Sequence, residues 1–179
     1  MRVGVYGLGN VLMGDDALGP YVVEVLRATY AFPPEVTLAD LGTPSLDLVP
    51  YPSGLDAVVL LDTVRSSGAP GDVRAYRGEE ILSHAPGPRL SPHDTGVKES
   101  LLLASVLGEG PREVLLLGVI PESTSTGVGL SRPVWHAVPV VVAAVVAELR
   151  RLGVAVEVRE RLEVPRIWWE EPAEVTGER

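Results

Sequence analysis

The sequence predicts a single three-layer α/β domain with a mostly parallel, twisted sheet of about five strands, one of them an antiparallel edge strand, and helices on both faces. Three observations lead to this fold class. Short apolar runs alternate along the chain with segments whose apolar residues recur at helical spacing. The connections between these segments are short. Two runs, AVVLL at 57–61 and EVLLLGVI at 113–120, lack the alternation of a half-exposed strand, which indicates burial on both faces.

The first half of the chain contains three predicted strands and two predicted helices. Arg2–Tyr6 predicts a short strand because it carries valines at alternate positions and stops at a glycine turn. Leu18–Tyr30 predicts a helix from the spacing of its apolar residues. Val36–Ala39 predicts a strand that ends at an aspartate, and Ser45–Val49 a short helix with serine as its N-cap. Ala57–Leu61 predicts the central strand.

The second half adds two strands and two helices. Asp72–Tyr76 follows the turn GAPG and alternates more strongly, which favours the antiparallel edge strand. After a proline-rich loop, Lys98–Leu107 predicts a helix, and Glu113–Ile120 predicts a second fully buried strand. Pro133–Arg151 predicts a long final helix.

Residues 154–179 form a tail that differs in character from the α/β domain predicted for residues 1–153. The run VAVEV alternates with period two and predicts one more strand. The rest is charged, contains two prolines and carries Trp168 and Trp169. Two interpretations stay open. The tail packs on its own domain, or it forms a contact surface for a partner, where paired aromatic side chains are favoured.

Composition excludes several classes of function. The chain has 179 residues, no cysteine and a formal net charge of −9. Without cysteine there are no disulfides and no thiolate chemistry, so a metal must be held by oxygen and imidazole nitrogen. The acidic balance argues against nucleic-acid binding, which needs a basic surface. The longest apolar run, residues 137–147, is too short to cross a bilayer, and we expect a cytoplasmic monomer that binds no membrane.

Polar side chains collect at the carboxyl ends of the predicted strands. Ligands of open α/β sheets bind at this edge of the sheet. Structural roles as Asx turns or helix caps remain the alternative for each of these residues. The polar residues after the first three strands are Asn10, Asp15, Asp16, Asp40, Thr43, Asp62 and Thr63.

The glycine-rich stretch after the first strand resembles a dinucleotide-binding loop only in part. The fingerprint G-x-G-x-x-G requires a glycine at position 12, where this chain has Leu12, and the third glycine is displaced to Gly14. We therefore expect no close packing of the following helix on the strand. Asp15 and Asp16 stand where the helix N-terminus receives a pyrophosphate and would repel it. Adjacent helical residues point about 100° apart, so only one of the two carboxylates can face a shared site.

One of the three histidines is a candidate metal ligand. His93 lies in SPHD, where serine is a candidate N-cap and proline takes the first helical position. The positive end of a helix disfavours imidazolium, so we expect a neutral imidazole that can bind a metal. With carboxylates from two strand ends, it predicts a site of oxygen and nitrogen ligands, although a lone histidine is more often structural. His136 lies in an apolar helix and His84 in a loop, and we assign neither to the site.

Four motifs occur in order between Met1 and Arg151: GLGNVLMGDDALG, VVLLDT, SPHDTG and GVIPES. With these motifs at closely matching spacing, the sequence resembles the hydrogenase maturation proteases. These endopeptidases remove the C-terminal extension of the large-subunit precursor of nickel-iron hydrogenases. The family motif DGGT reads DLGT at residues 40–43, so that Leu41 replaces a glycine while the acid is kept.

The resemblance implies a peptidase whose metal-binding cleft is formed by Asp16, Asp62 and His93, the expected catalytic and metal-contacting residues. It also implies that nickel is carried into the cleft by the precursor, where it is the recognition element, and that no nucleotide is bound. Whether a carboxylate also acts as general base is left open. The residues expected to support the cleft are Asn10, Asp15, Asp40 and Thr43.

Two other functions remain alternatives. A nucleotide-binding α/β protein would use the glycine loop, with Asp40 as a ribose ligand. A metal-dependent checkpoint protein would bind the nickel-loaded precursor without cutting it. The sequence lacks G-x-S-x-G, cysteine and H-E-x-x-H, which excludes the usual serine, cysteine and zinc protease chemistries.

Overall fold

The computed structural model describes residues 1–43, 54–83, 108 and 110–170. The predicted helices Ser45–Val49 and Lys98–Leu107 lie outside these residues. The described elements, in chain order, are β1 (Val3–Gly7), a 3-10 helix (Gly14–Ala17), α1 (Leu18–Thr29), β2 (Tyr30–Ala31), β3 (Val36–Asp40), β4 (Ala57–Thr63), β5 (Val73–Arg77), α2 (Gly78–Ser83), β6 (Glu113–Val119), α3 (Arg132–Arg151) and β7 (Glu157–Val158).

The main sheet has five strands in the order β3-β1-β4-β6-β5, which confirms the predicted fold class. Strands β3, β1, β4 and β6 are parallel, and β4 is the central strand, as its continuous apolar run predicts. The predicted edge strand, β5, runs antiparallel to β6. Gly7 pairs with Asp40 on one side and Leu61 on the other, so three strands end at one edge of the sheet.

Helices pack on both faces of the sheet, because alternate residues of the buried strands point to opposite sides. Val3 and Val5 of β1 join α1 and α3 in the larger core. Val58 and Leu60 of β4 face the other side, where Ile81 of α2 packs with them.

Helix α1 lies very close to the sheet, which corrects the expectation drawn from the displaced third glycine. A Cβ on Gly19 would lie 2.3 Å from the carbonyl oxygen of Leu8 and 2.5 Å from that of Leu61. A Cβ on Gly7 would lie 2.5 Å from the carbonyl oxygen of Gly19. Close packing of helix on strand is therefore present, but it depends on Gly7 and Gly19 rather than on a glycine at position 12.

Helix α3 has the length and apolar composition of a membrane span, with a mean hydropathy of 1.4. Half of that apolar window is buried within the fold, where α3 packs against α1 and the sheet. A core helix has these same properties.

The tail packs on the domain as far as Glu170, as the first of the two sequence interpretations expects. The backbone N–H of Arg159 donates to the carbonyl of Thr29, and that of Glu163 to Ala28. The predicted extra strand exists as β7, but it pairs with β2 rather than with the main sheet. Trp169 is buried against α1. The division at residue 153 stays a prediction.

An ion-pair network around the buried carboxylate of Glu148 ties the edge strand to α3, with both arginine side chains about half exposed. The Glu148 carboxylate accepts two hydrogen bonds from Arg77, of 2.9 and 3.0 Å, and two from Arg151, of 3.0 and 2.8 Å. The hydrogen bonds from Arg77, followed by those from Arg151, lower the pKa of Glu148 to about 2. Both oxygens of this buried carboxylate are therefore paired with guanidinium groups.

We predict that Glu148→Gln lowers the free energy of unfolding at pH 7 by about 1 to 3 kcal/mol. Because the folded-state pKa of Glu148 is depressed, its contribution is present above about pH 4.5 and is lost as the pH falls towards 2. Urea unfolding at several pH values should show the gap between wild type and variant closing over that range. Glu35→Gln, at an exposed carboxyl, is the matched control. A gap that stays constant between pH 5 and 2 would contradict the ionic origin of the effect.

Candidate functional site

The candidate site lies at the edge where β1, β3 and β4 end. Residues 8–16, which we call the first loop, run from the end of β1 into the 3-10 helix that precedes α1 at this edge. Asp40 closes β3 beside Gly7. Asp62 lies within β4, which continues to Thr63, two residues beyond the predicted end of this strand at Leu61.

Asp16 is a buried carboxylate that the first loop and β4 hold in place. It is 4% exposed, and its Oδ2 accepts a hydrogen bond of 2.8 Å from the backbone N–H of Asn10. Its Oδ1 accepts a hydrogen bond of 3.1 Å from the hydroxyl of Thr63. The side chain of Thr63, the residue after Asp62, therefore contacts Asp16, so Asp16 lies beside the end of β4.

Asp62 is buried more completely than Asp16, at 1% exposure. Its Oδ1 accepts a hydrogen bond of 2.7 Å from the backbone N–H of Thr63. Thr63 thus contacts both carboxylates, one through its backbone and one through its hydroxyl. Sequence reasoning placed Thr63 among the polar strand ends but did not assign it to the site, because a contact across 47 positions leaves no local signal.

The first loop folds tightly over Asp16, and Gly9 makes this possible. Gly9 has φ +134°, and a Cβ there would lie 1.7 Å from the carbonyl oxygen of Asp16. Its backbone N–H donates a hydrogen bond of 2.8 Å to the carbonyl of Gly42, which links the first loop to the loop after β3. No other residue type fits this position without moving the backbone.

Asn10, the single carboxamide of the chain, forms a turn. Its Oδ1 accepts a hydrogen bond of 3.0 Å from the backbone N–H of Leu12, which is an Asx turn. Its backbone N–H donates to Asp16. Asn10 therefore supports the cleft by shaping the loop around Asp16.

Asp15 has a structural role distinct from that of its neighbour, as the geometry of adjacent positions predicts. It is 1% exposed, and its Oδ2 accepts hydrogen bonds from the backbone N–H groups of Glu122 and Ser123, at 2.8 and 3.0 Å. Ser131 donates its backbone N–H to Oδ1 at 2.6 Å and its hydroxyl to Oδ2 at 2.9 Å. Ser131, which sequence reasoning missed, precedes α3, so one carboxylate fastens residues 122–131 to the first loop.

Asp40 and Thr43 lie on the outer side of the site. Asp40 is exposed, and its Oδ1 accepts a hydrogen bond of 2.8 Å from the backbone N–H of Gly42. Desolvation raises the pKa of Asp40, while the Gly42 N–H and Arg27 act in the opposite direction. Leu41, at the position where the family motif has glycine, packs against the core on the face of the sheet that carries Val58 and Leu60, and Gly42 has a positive φ of 59°.

His93 lies outside the described residues, so its place relative to Asp16 and Asp62 stays a prediction. Within the described ranges, no three His, Asp or Glu side chains form a group that could hold a metal ion. His136 is exposed on α3, in agreement with its exclusion from the predicted site.

Comparisons with known proteins agree on one family. A family model described as hydrogenase maturation protease matches residues 20–148. The hydrogenase 2 maturation protease of Escherichia coli K12 is 34% identical over 163 residues, which cover 90% of this chain and 99% of that protein. The hydrogenase expression/formation protein HupM of Azotobacter chroococcum is 36% identical over 157 residues, covering 87% of this chain and 75% of HupM.

Solved structures show the same similarity. The hydrogenase maturating endopeptidase HybD from Escherichia coli superposes with a TM-score of 0.83 at 34% identity, covering 89% of this chain and 98% of HybD. The [NiFe] hydrogenase maturation protease HybD from Thermococcus kodakarensis superposes with a TM-score of 0.68 at 27% identity, covering 83% of this chain and 99% of that one.

We predict that Asp15→Asn destabilises the fold by about 2 to 4 kcal/mol, because an amide NH₂ cannot accept the hydrogen bonds that now converge on the carboxylate. Thermal or urea unfolding measures this loss. Asp72→Asn is the control, since Asp72 is 43% exposed and pairs with Arg74 at the surface; we expect its change to stay within about 1 kcal/mol. Equal stability of the two variants would contradict the structural role of Asp15.

Proposed function

The chain belongs to the hydrogenase maturation protease family, and we propose on that basis that it removes the C-terminal extension of a nickel-loaded hydrogenase large-subunit precursor. We further propose that Asp16, Asp62 and His93 contact nickel that the precursor carries. Nickel is then part of the substrate and is not a resident cofactor of this chain.

The observation that carries this proposal is the pair of buried carboxylates at one sheet edge. Asp16 and Asp62 both contact Thr63. Both carboxylates are buried, so neither is a surface charge that only increases solubility. Carboxylate oxygen and imidazole nitrogen are ligands that divalent nickel accepts, and the chain has no cysteine to compete with them. The donor set therefore fits a cleft that receives a metal ion.

In this mechanism the bound nickel fixes the position of the precursor. Contacts from Asp16 of the first loop, Asp62 of β4 and His93 hold the scissile bond in one orientation, so that binding also brings the reacting groups together. Nickel held by these residues would polarise the scissile carbonyl or a water molecule, and the general base that receives the proton of the water is left unassigned. This assignment makes Asp16, Asp62 and His93 catalytic residues of an aspartyl-type endopeptidase.

The nucleotide-binding alternative meets an obstacle in the first loop. A pyrophosphate needs free N–H groups and the positive end of a helix. Here the Asp16 backbone fills the space beside Gly9, and Asp15 and Asp16 place two carboxylates before α1. No described feature favours a nucleotide over a cation.

The partner in this proposal is the large-subunit precursor, and we place the reaction in the cytoplasm. The chain has no cysteine that could form a disulfide in an oxidising compartment, which supports the proposed location in the cytoplasm. We expect the chain to act as a monomer that uses neither nucleic acid nor a membrane.

We predict that the protein shortens the nickel-loaded precursor and leaves the nickel-free precursor intact. Mass spectrometry of the two reactions measures the loss of the extension directly. Intact precursor in both reactions would contradict the proposal. Precursor that binds only when nickel is present, with its mass unchanged, would instead identify a checkpoint protein.

We predict that Asp16→Asn and His93→Ala each lower the rate of processing about 100-fold or more, because each removes a contact to the substrate-borne metal. His136→Ala, at an exposed histidine of α3, is the matched control and should process the precursor at the wild-type rate. Melting temperatures show that the variants fold. Wild-type rates for His93→Ala, or a thermal shift with NAD or AMP that survives this change, would favour the nucleotide-binding alternative.

A further inference from the structure

A pocket of about 230 Å³ opens beside the candidate site, and the tail supplies one of its walls. The first loop and the loop after β3 form the rest of it. We call it the Trp168 pocket; its lining residues are Gly9, Asn10, Val11, Asp40, Gly42, Thr43 and Trp168.

The indole of Trp168 is held in place by a buried neighbour. Trp168 is 64% exposed, whereas Trp169 is 7% exposed. The two rings meet edge to face with centroids 5.6 Å apart, and Trp169 meets Tyr21 of α1 in the same way at 5.1 Å. Trp169 therefore anchors the tail on α1, and this anchor fixes Trp168 at the rim of the pocket.

Leaving an indole this exposed has a cost, since a tryptophan is among the side chains that gain most from burial. The chain already buries Trp169 at this point, so the tail does not need Trp168 to attach. Exposed aromatic rings on a fixed backbone are the side chains that most often anchor a binding partner. The position of Trp168 next to the cleft makes the substrate the expected partner.

The charge of the pocket indicates what it binds. Asp40 is the only ionisable side chain among the described residues that line it. Its Oδ1 accepts one backbone hydrogen bond from Gly42. An indole face and a carboxylate in one pocket attract a positively charged group, through a cation–π contact and a charge-assisted hydrogen bond.

We propose that the Trp168 pocket binds a positively charged side chain of the precursor close to the bond that is cut. The pocket and the cleft share the first loop: Asn10 lines the pocket, and its backbone N–H donates to Asp16. A peptide bound at Asp16 therefore places one of its neighbouring residues in the pocket. The inference rests on the proposed function and makes Trp168 a specificity-determining residue.

The first experiment compares kcat and KM for processing of the nickel-loaded precursor by the full chain and its variants. Trp168→Ala should raise KM about tenfold with little change in kcat, and Trp168→Phe should retain most of the affinity. Trp135→Ala is the matched control, since Trp135 is 52% exposed and also meets the ring of Tyr21, but does not line the pocket. An unchanged KM for a folded Trp168→Ala would overturn the inference.

The second experiment identifies the charge. Each Arg, Lys and His of the precursor that flanks the cut bond is replaced in turn by Gln and by Met. One replacement should raise KM for the wild-type chain about tenfold and have no effect on Trp168→Ala, as expected for two groups in contact. Full affinity with Met at every such position would show an apolar pocket and overturn the inference.

Binding separates this inference from the proposed function. Calorimetry measures the affinity of the full chain and of Trp168→Ala for a synthetic peptide that spans the junction. Peptide binding that depends on Trp168, together with no cleavage of the nickel-loaded precursor, would support the inference and contradict the protease proposal. Cleavage of the nickel-loaded precursor by the wild-type chain, together with equal peptide affinity for Trp168→Ala, would support the protease proposal and overturn the inference.

Discussion

The carboxylate of Asp15 is the interaction on which the candidate site depends. It accepts hydrogen bonds from three backbone N–H groups and one hydroxyl, all from residues 122–131. Because Asp15 precedes α1 and Ser131 precedes α3, this single side chain fixes where both helices begin relative to the sheet edge. The carboxylate is satisfied without a metal, so its purpose is positional. It keeps the first loop closed while Asp16 faces the other way.

The two consecutive aspartates thus have different roles, which one residue could not combine: the first positions the first loop, and the second lies at the candidate site. A buried carboxylate needs donors, and those bound to Asp15 come from another part of the chain. Asp16 is held by the turn at Asn10 and by the hydroxyl of Thr63, and it shares Thr63 with Asp62. The glycine turn that in other α/β proteins presents N–H groups to an anion here closes over the backbone of Asp16 at Gly9, and the Asn10 N–H donates to the Asp16 carboxylate. The first loop therefore disfavours an anion, although its glycines resemble those of an anion-binding loop.

Sequence reasoning predicted the fold because its elements leave local signals, and continuous apolar runs identified β4 and β6. Polar residues after the strands marked the sheet edge where Asp16 and Asp62 lie, and the family resemblance selected these two acids, whose role in the site stays a prediction. Contacts between distant segments leave no such signal, which is why the roles of Thr63 and Ser131 were missed. The close packing of α1 depends on Gly19, which lies within the helix and outside the fingerprint that was tested. Its importance becomes visible only when the helix is placed on the sheet.

The residues proposed for catalysis and the residue proposed for substrate selectivity lie in different parts of the chain. The family model ends at residue 148, and the acids of the proposed cleft lie within or before it. Trp168 lies beyond it and reaches the cleft only because Trp169 is anchored on α1. A change in the tail can therefore alter which peptide enters the pocket without touching Asp16 or Asp62. Since Asn10 contacts Asp16 and lines the pocket, the two functions remain coupled through the backbone of the first loop.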